Sequence, residues 1–164
     1  MTPPQNIHRI RVRVSEMKVA KGDAVLVSIG LGSCVGVAVY DTEQEVGGMA
    51  HVLLPGDPKP GDNPLKYSDS AVEKLVEEIC SMGGSKDSMR AKVFGGSNMF
   101  PGLASDRKKS IGERNVEAVL KKLEQMGIEV VAKDIGGDKG RTVEFLAGKG
   151  NVTVRNASGQ ESSF

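Results

Sequence analysis

The stretch Ala24-Val-Leu-Val-Ser28-Ile-Gly30-Leu-Gly32-Ser-Cys34-Val-Gly36-Val-Ala-Val-Tyr40 runs 17 residues without a charge. That is near the lower limit for a membrane-spanning helix, about 17–25 residues. The residue types say otherwise. The run leans on Val and is interrupted by three glycines. β-Branched side chains lose rotamer freedom in a helix but pack well on a pleated surface, and helix-interior glycine is unfavourable. Two buried strands, Ala24–Ile29 and Cys34–Tyr40, joined by a Gly30–Ser33 turn, explain the run better. No membrane insertion is expected.

Outward from this stretch, Arg9–Val14 alternates polar and apolar residues, the period of a half-exposed strand. Glu45–Leu54 reads as a further strand, beginning near the Gly47–Gly48 pair. Pro55–Asp69 holds four of the seven prolines and reads as a long loop of the kind that is usually functional or disordered. Ser68 is placed to cap a helix to about Met82, with Ala71, Val72, Leu75, Val76 and Ile79 on one stripe and Gly83–Gly84 as its stop. A short strand, Ala91–Phe94, ends at Gly95–Gly96, and Ser97–Lys109 is a second irregular loop. A helix over Ile111–Met126 turns Val116, Val119, Leu120 and Leu123 inward and stops at Gly127. Three strands follow: Ile128–Ala132, Thr142–Leu146 and Val152–Arg155. Asn156–Phe164 is polar and expected to fray. Strands clustered around two helices predict an α/β chain of the α+β kind, a mixed sheet system covered by helices and not a regular βαβ alternation.

A length of 164 residues fits one domain over 1–164. With 22 Lys+Arg against 21 Asp+Glu the net charge is +1, which argues against a nucleic-acid surface. Two Cys and two His are too few for a zinc finger or a disulfide framework. Neither metal nor cofactor is expected. Met1–Arg13 lacks the apolar core of a signal peptide, and a cytoplasmic protein with reduced thiols is expected.

The glycine turn is neither a dinucleotide fingerprint nor a phosphate loop: its third glycine falls one residue late, a strand follows it, and it lacks a Gly-Lys-Ser/Thr ending. It suits a nest of converging backbone N–H groups that holds developing negative charge. Cys34 sits at that point. His51 lies 17 residues further on, close enough to take the thiol proton if its strand neighbours that of Cys34. A lone Cys or His in an apolar strand is more often a buried structural residue, and spacing alone leaves both readings open. Cys80, on a helix without a glycine nest, reads as structural, and His8 lies in an N-terminus expected to fray.

The pattern Ser28-Ile-Gly-Leu-Gly-Ser-Cys34-Val-Gly-Val-Ala-Val-Tyr-Asp41 followed by Gly48-Met-Ala-His51-Val-Leu-Leu-Pro55 closely resembles the chemoreceptor glutamine deamidase (CheD) family. Lys66-Tyr-Ser-Asp-Ser-Ala71, Phe94-Gly-Gly-Ser-Asn-Met-Phe100, Ile111-Gly-Glu-Arg-Asn115, Asp134-Ile-Gly-Gly137 and Gly140-Arg-Thr-Val-Glu-Phe145 fit in order. The resemblance implies a chemotaxis enzyme, a cysteine-dependent protein-glutamine glutaminase, that converts receptor glutamines to glutamates. It also implies a fold of layered mixed β-sheets packed together and flanked by helices, similar to the catalytic domain of cytotoxic necrotising factor toxins. Cys34 takes the nucleophile position and His51 that of the base. Ser28 stands where the family usually has threonine and would orient His51. Backbone groups of Gly32, Ser33 and Val35 would hold the oxyanion.

The target glutamine lies on a long receptor coiled coil, so an open groove is expected, walled by Pro55–Asp69 and Gly95–Lys109. Asn98, Met99 and Phe100 are candidate substrate or partner contacts, and Arg107, Lys108 and Lys109 could meet acidic receptor surface. The resemblance also implies an alternative role, a regulatory partner that binds a CheC-type phosphatase of phosphorylated CheY.

Overall fold

The structure, a computed structural model, describes residues 8–100 and 109–164. Their strands form two sheets of five, stacked with a pair of helices into three layers. The central sheet has the order β2 (Met17–Lys21), β5 (Val46–Val52), β4 (Val35–Asp41), β6 (Arg90–Gly95), β7 (Glu129–Ile135). The outer sheet runs β1 (Arg9–Arg11), β3 (Val25–Leu31), β8 (Arg141–Leu146), β9 (Val152–Asn156), β10 (Glu161–Ser163). Pairing is antiparallel except for β1 with β3 and β6 with β7. The mixed, layered α+β architecture expected from the sequence is therefore the one observed.

The near-continuous apolar character of β4 and β5 has a direct cause: both are buried along their whole length. On one face Val35, Val37, Val39, Ala50 and Val52 meet α1 (Ser68–Ser81) and α2 (Ile111–Gln125), through Leu75, Ile79, Val119 and Leu123. On the other, Ala38, Tyr40 and Met49 meet Leu26, Val143 and Phe145 of the outer sheet. Strand glycines mark close approach. A Cβ at Gly48 would sit 2.7 Å from both Leu75 and Val19.

The uncharged run does form two strands, but they lie in different sheets. β3 belongs to the outer sheet and β4 to the central one, so the turn between them is a crossover. That turn comprises Gly32–Cys34 rather than Gly30–Ser33, because β3 continues through a bulge between Ser28 and Leu31 that Gly30 accommodates at φ +67°.

Four other expectations need correction. Arg9–Val14 is a strand only over Arg9–Arg11; beyond it the chain bends through Ser15 (φ 62°) into β2, an edge strand that periodicity did not disclose. Ser68 is not the cap of α1. It is the first helical residue, and its Oγ accepts the Gly56 N–H at 2.8 Å and donates to Asp69 Oδ1 at 3.0 Å. The long 55–69 loop is pinned rather than loose: Leu53 and Leu54 N–H donate to Lys66 O across a short 3-10 turn, Pro64–Lys66.

Finally, the 156–164 segment is not frayed. β10 pairs with β9, Phe164 exchanges two backbone hydrogen bonds with Val152, and its ring meets Phe94 edge-on at 5.6 Å. His8 is likewise tied in, its carbonyl accepting the Val25 N–H. α2 begins as expected, with Ser110 capping the Glu113 N–H.

Candidate active site

Antiparallel register brings the two candidate residues to one face. β4 and β5 are neighbours, and Gly36 stands directly opposite His51. Side chains alternate, so Cys34, Gly36 and Ala38 point to the same side, toward the outer sheet, as do Met49 and His51. Cys34 packs at the edge of that inter-sheet core. It stands two residues before Gly36, the residue opposite His51, just beyond the end of the ladder. Gly36 has no side chain to place there, and a Cβ would meet Leu31 at 3.1 Å.

His51 is held from three sides by the bend between β1 and β2. Its N–H donates to Glu16 O, its carbonyl accepts the Ser15 N–H, and its ring Nδ1 bonds Val12 O at 3.2 Å. A carbonyl can only accept, so Nδ1 carries the hydrogen and Nε2 keeps its lone pair as the free base. Burial pushes the imidazole below its ordinary value, opposed by the Val12 bond and the charge of Glu16. His51 is therefore neutral at pH 7.

Ser28 is fully buried, and its Oγ donates to Val12 O at 3.0 Å. Serine and histidine thus share one carbonyl. A direct Ser28–His51 bond, the orienting contact expected from the sequence, is not what the geometry contains: Ser28 acts on the carbonyl that sets the tautomer. Sequence reasoning missed Val12 because a main-chain acceptor has no residue-type signature. Only the fold could disclose it.

At Cys34, burial raises the thiol above its ordinary value and the residue's own backbone N–H opposes that rise. No hydrogen bond joins Cys34 Sγ to His51 among the described residues, and burial favours the neutral form of each. The turn around the thiol is open in a useful way. The carbonyls of Gly32 and Cys34 accept from Ser97 and Gly96 N–H, whereas the N–H groups of Gly32 and Ser33 meet no acceptor among the described residues and that of Cys34 meets only its own sulfur. Such a set can receive an oxyanion. Val35 differs: it is fully buried within the ladder, paired in register with Val52 and Gly95, and so belongs to the sheet and not to the turn.

Around His51 opens a groove of about 260 Å³ lined by Arg11, Val12, Arg13, Val14 and Ile29. Val14 and Ile29 are half exposed on its rim. On the other side of the turn, Met99 covers Gly32, where a Cβ would lie 3.3 Å from its Cγ. Asn98 shapes that loop, donating its N–H to Gly137 O and accepting the Phe100 N–H on Oδ1. Phe100 is 70% exposed. Arg107 and Lys108 lie outside the described residues, and Lys109 pairs with Glu117 at 2.5 Å. Cys80 is exposed on α1, and no helix of the described residues is long and apolar enough to cross a membrane.

Two stacked mixed sheets under a helix pair define an α+β protein, with a thiol and a tautomer-fixed imidazole on one inner face. A family model described as CheD chemotactic sensory transduction matches residues 53–156. A Desulfitobacterium hafniense protein named "probable chemoreceptor glutamine deamidase CheD" is 44% identical over 147 residues, covering 89% of this chain and 92% of its own. A Thermotoga maritima protein named "chemoreceptor glutamine deamidase CheD" is 43% identical over 150 residues, covering 92% and 93%. This chain belongs to the CheD family. A solved Neisseria meningitidis structure of the DUF152 family model overlays at a TM-score of 0.48 with 10% identity, covering 80% of this chain and 65% of that one.

Proposed function

We propose that this protein is a chemoreceptor glutamine deamidase acting through Cys34 and His51. The names of its relatives state the activity. The observation that carries the residue assignment is His51, tautomer-fixed by Val12 O on the same sheet face as Cys34. As substrate enters, Nε2 takes the Cys34 proton and sulfur attacks the glutamine side-chain carbonyl carbon. The oxygen gathers negative charge and draws on the Gly32, Ser33 and Cys34 N–H groups, each such donor contributing about 3–4 kcal/mol. Protonated His51 then passes its proton to the departing nitrogen, and ammonia leaves as the C–N bond breaks. Water, deprotonated by His51, opens the thioester to release glutamate and restore the thiol.

A deep pocket is unnecessary for a side chain carried on a helical receptor. The shallow groove with Val14 and Ile29 on its rim, and the exposed Met99 and Phe100 across the turn, suit an amphipathic helix. The same apolar surface is the natural landing for a CheC-type partner, so catalysis and partner binding would compete. The chemistry belongs in the cytoplasm, where reducing conditions keep Cys34 a thiol. Ammonia release from a receptor fragment tests the assignment with Cys34→Ser and His51→Ala. Each variant should lose at least about a thousandfold in kcat, as loss of a nucleophile or its base does elsewhere. Retention of wild-type turnover by either would overturn it.

A further inference from the structure

We propose that Asn115 is a positioning residue of this site, an assignment that rests on the Cys34–His51 reading. The β4–β5 ladder ends at the Val35–Val52 pair. Past it the two chains part. Leu53 and Leu54 turn their N–H groups to Lys66, and the Gly32 and Cys34 carbonyls turn to the chain after β6. The nucleophile and the strand of the base thus lose their mutual hydrogen bonds just where catalysis needs them fixed. Asn115 restores the link from the helical layer. Its Nδ2 donates one hydrogen to Ser33 O and the other to Leu53 O, each at 3.0 Å. Ser33 precedes the nucleophile; Leu53 lies two residues beyond the base.

The aim of this side chain is built into α2. Gly112 and Gly96 let the first turn of the helix rest directly on the chain leaving β6, since a Cβ on either would strike backbone of the other. Asn115 lies almost one turn further along, fully buried. Its Oδ1 is the one buried side-chain polar atom among the described residues without a hydrogen-bond partner. A buried acceptor without a donor opposes folding, and an apolar residue would pack the site without that penalty. The amide is therefore held there by what its two donors do. Cys34 inherits its position relative to His51 through Ser33, so Asn115 acts on the reacting atoms without touching them.

Asn115→Ser and Asn115→Asp, made in a Cys80→Ser background, test this against simple core filling. The serine keeps a small polar group and the aspartate the shape, and neither can donate to both carbonyls. The expected result is a kcat lowered by between about tenfold and a hundredfold, the effect of a misplaced reacting group. KM for the receptor fragment should stay within about twofold. Iodoacetamide should alkylate Cys34 with a changed pH profile, and the amides of residues 33–35 and 52–54 should exchange faster in the folded state. If one variant fails to fold, the other decides. Wild-type kcat and an unchanged alkylation profile in a folded variant would overturn the proposal while Cys34→Ser remains inactive, leaving the dyad intact. An active Cys34→Ser enzyme would remove both.

Discussion

At the scale of single residues, the site combines two groups that burial drives toward neutrality. A thiol raised by desolvation and an imidazole lowered by it disfavour a resting ion pair, so proton transfer is expected to await the substrate. The sign of the pH dependence follows. As pH falls through the lowered value of His51, Nε2 is protonated and the base is lost, so deamidation should decline only below the ordinary histidine value of 6.5. Alkylation of Cys34 in the Cys80→Ser background should instead climb with pH toward and beyond the ordinary thiol value of 9.0. A preformed thiolate–imidazolium pair would keep alkylation fast at acidic pH, and that result would contradict the neutral resting state. Cys34 and His51 were legible as residues because their types and glycine-rich surroundings stand out. Val12 was not, since any residue supplies a carbonyl.

At the scale of elements, the crossover between β3 and β4 sets the chemistry. Its carbonyls are tied to Gly96 and Ser97, while the Gly32 and Ser33 N–H groups have no acceptor among the described residues. The loop after β6 extends that support outward, with Met99 over Gly32 and Phe100 in solvent. Met99→Ser/Phe100→Ser should therefore act on recognition rather than chemistry. The expected change is a KM for the receptor fragment raised by about five- to thirtyfold, equivalent to about 1–2 kcal/mol. The melting temperature should stay within about 2 °C of the parent, because surface changes of this kind hardly alter stability. A falling kcat with unchanged KM, read from steady-state kinetics, would show that this loop does not contact substrate. Helices α1 and α2 were readable from apolar stripes and stops. β2 was not, because an edge strand shields only part of its surface and leaves a weak pattern.

At the scale of the whole molecule, the two sheets must hold their separation for Val12, just past β1 of the outer sheet, to reach the His51 ring on the central one. Phe94, Phe145, Met49 and Leu26 fill the space between them, and Arg141 latches their ends. From β8 of the outer sheet its guanidinium donates to Asp134 O of β7, to Gly136 O just past that strand and to Ser97 Oγ at 3.1 Å, with Asp134 Oδ1 at 3.3 Å. Ser97 is the residue whose N–H holds Gly32 O. Arg141→Met keeps the stem and removes these donors. It should cost about 2–3 kcal/mol in urea unfolding, the range for hydrogen bonds to charged groups. An unchanged unfolding midpoint would show that the latch contributes nothing to stability.

The sequence by itself determined the mixed α+β class, the two helices, the strand–turn–strand around Cys34 and the choice of Cys34 and His51 as candidates. These depend on periodicity, glycine punctuation and residue chemistry, all local properties. Tertiary structure alone decided that β3 and β4 part into different sheets, that the 156–164 segment is tied down by β9 and Phe94, and that Val12 and Asn115 reach the site. Each of those depends on groups distant in the chain meeting through backbone carbonyls and shared burial, which no local pattern of side chains encodes.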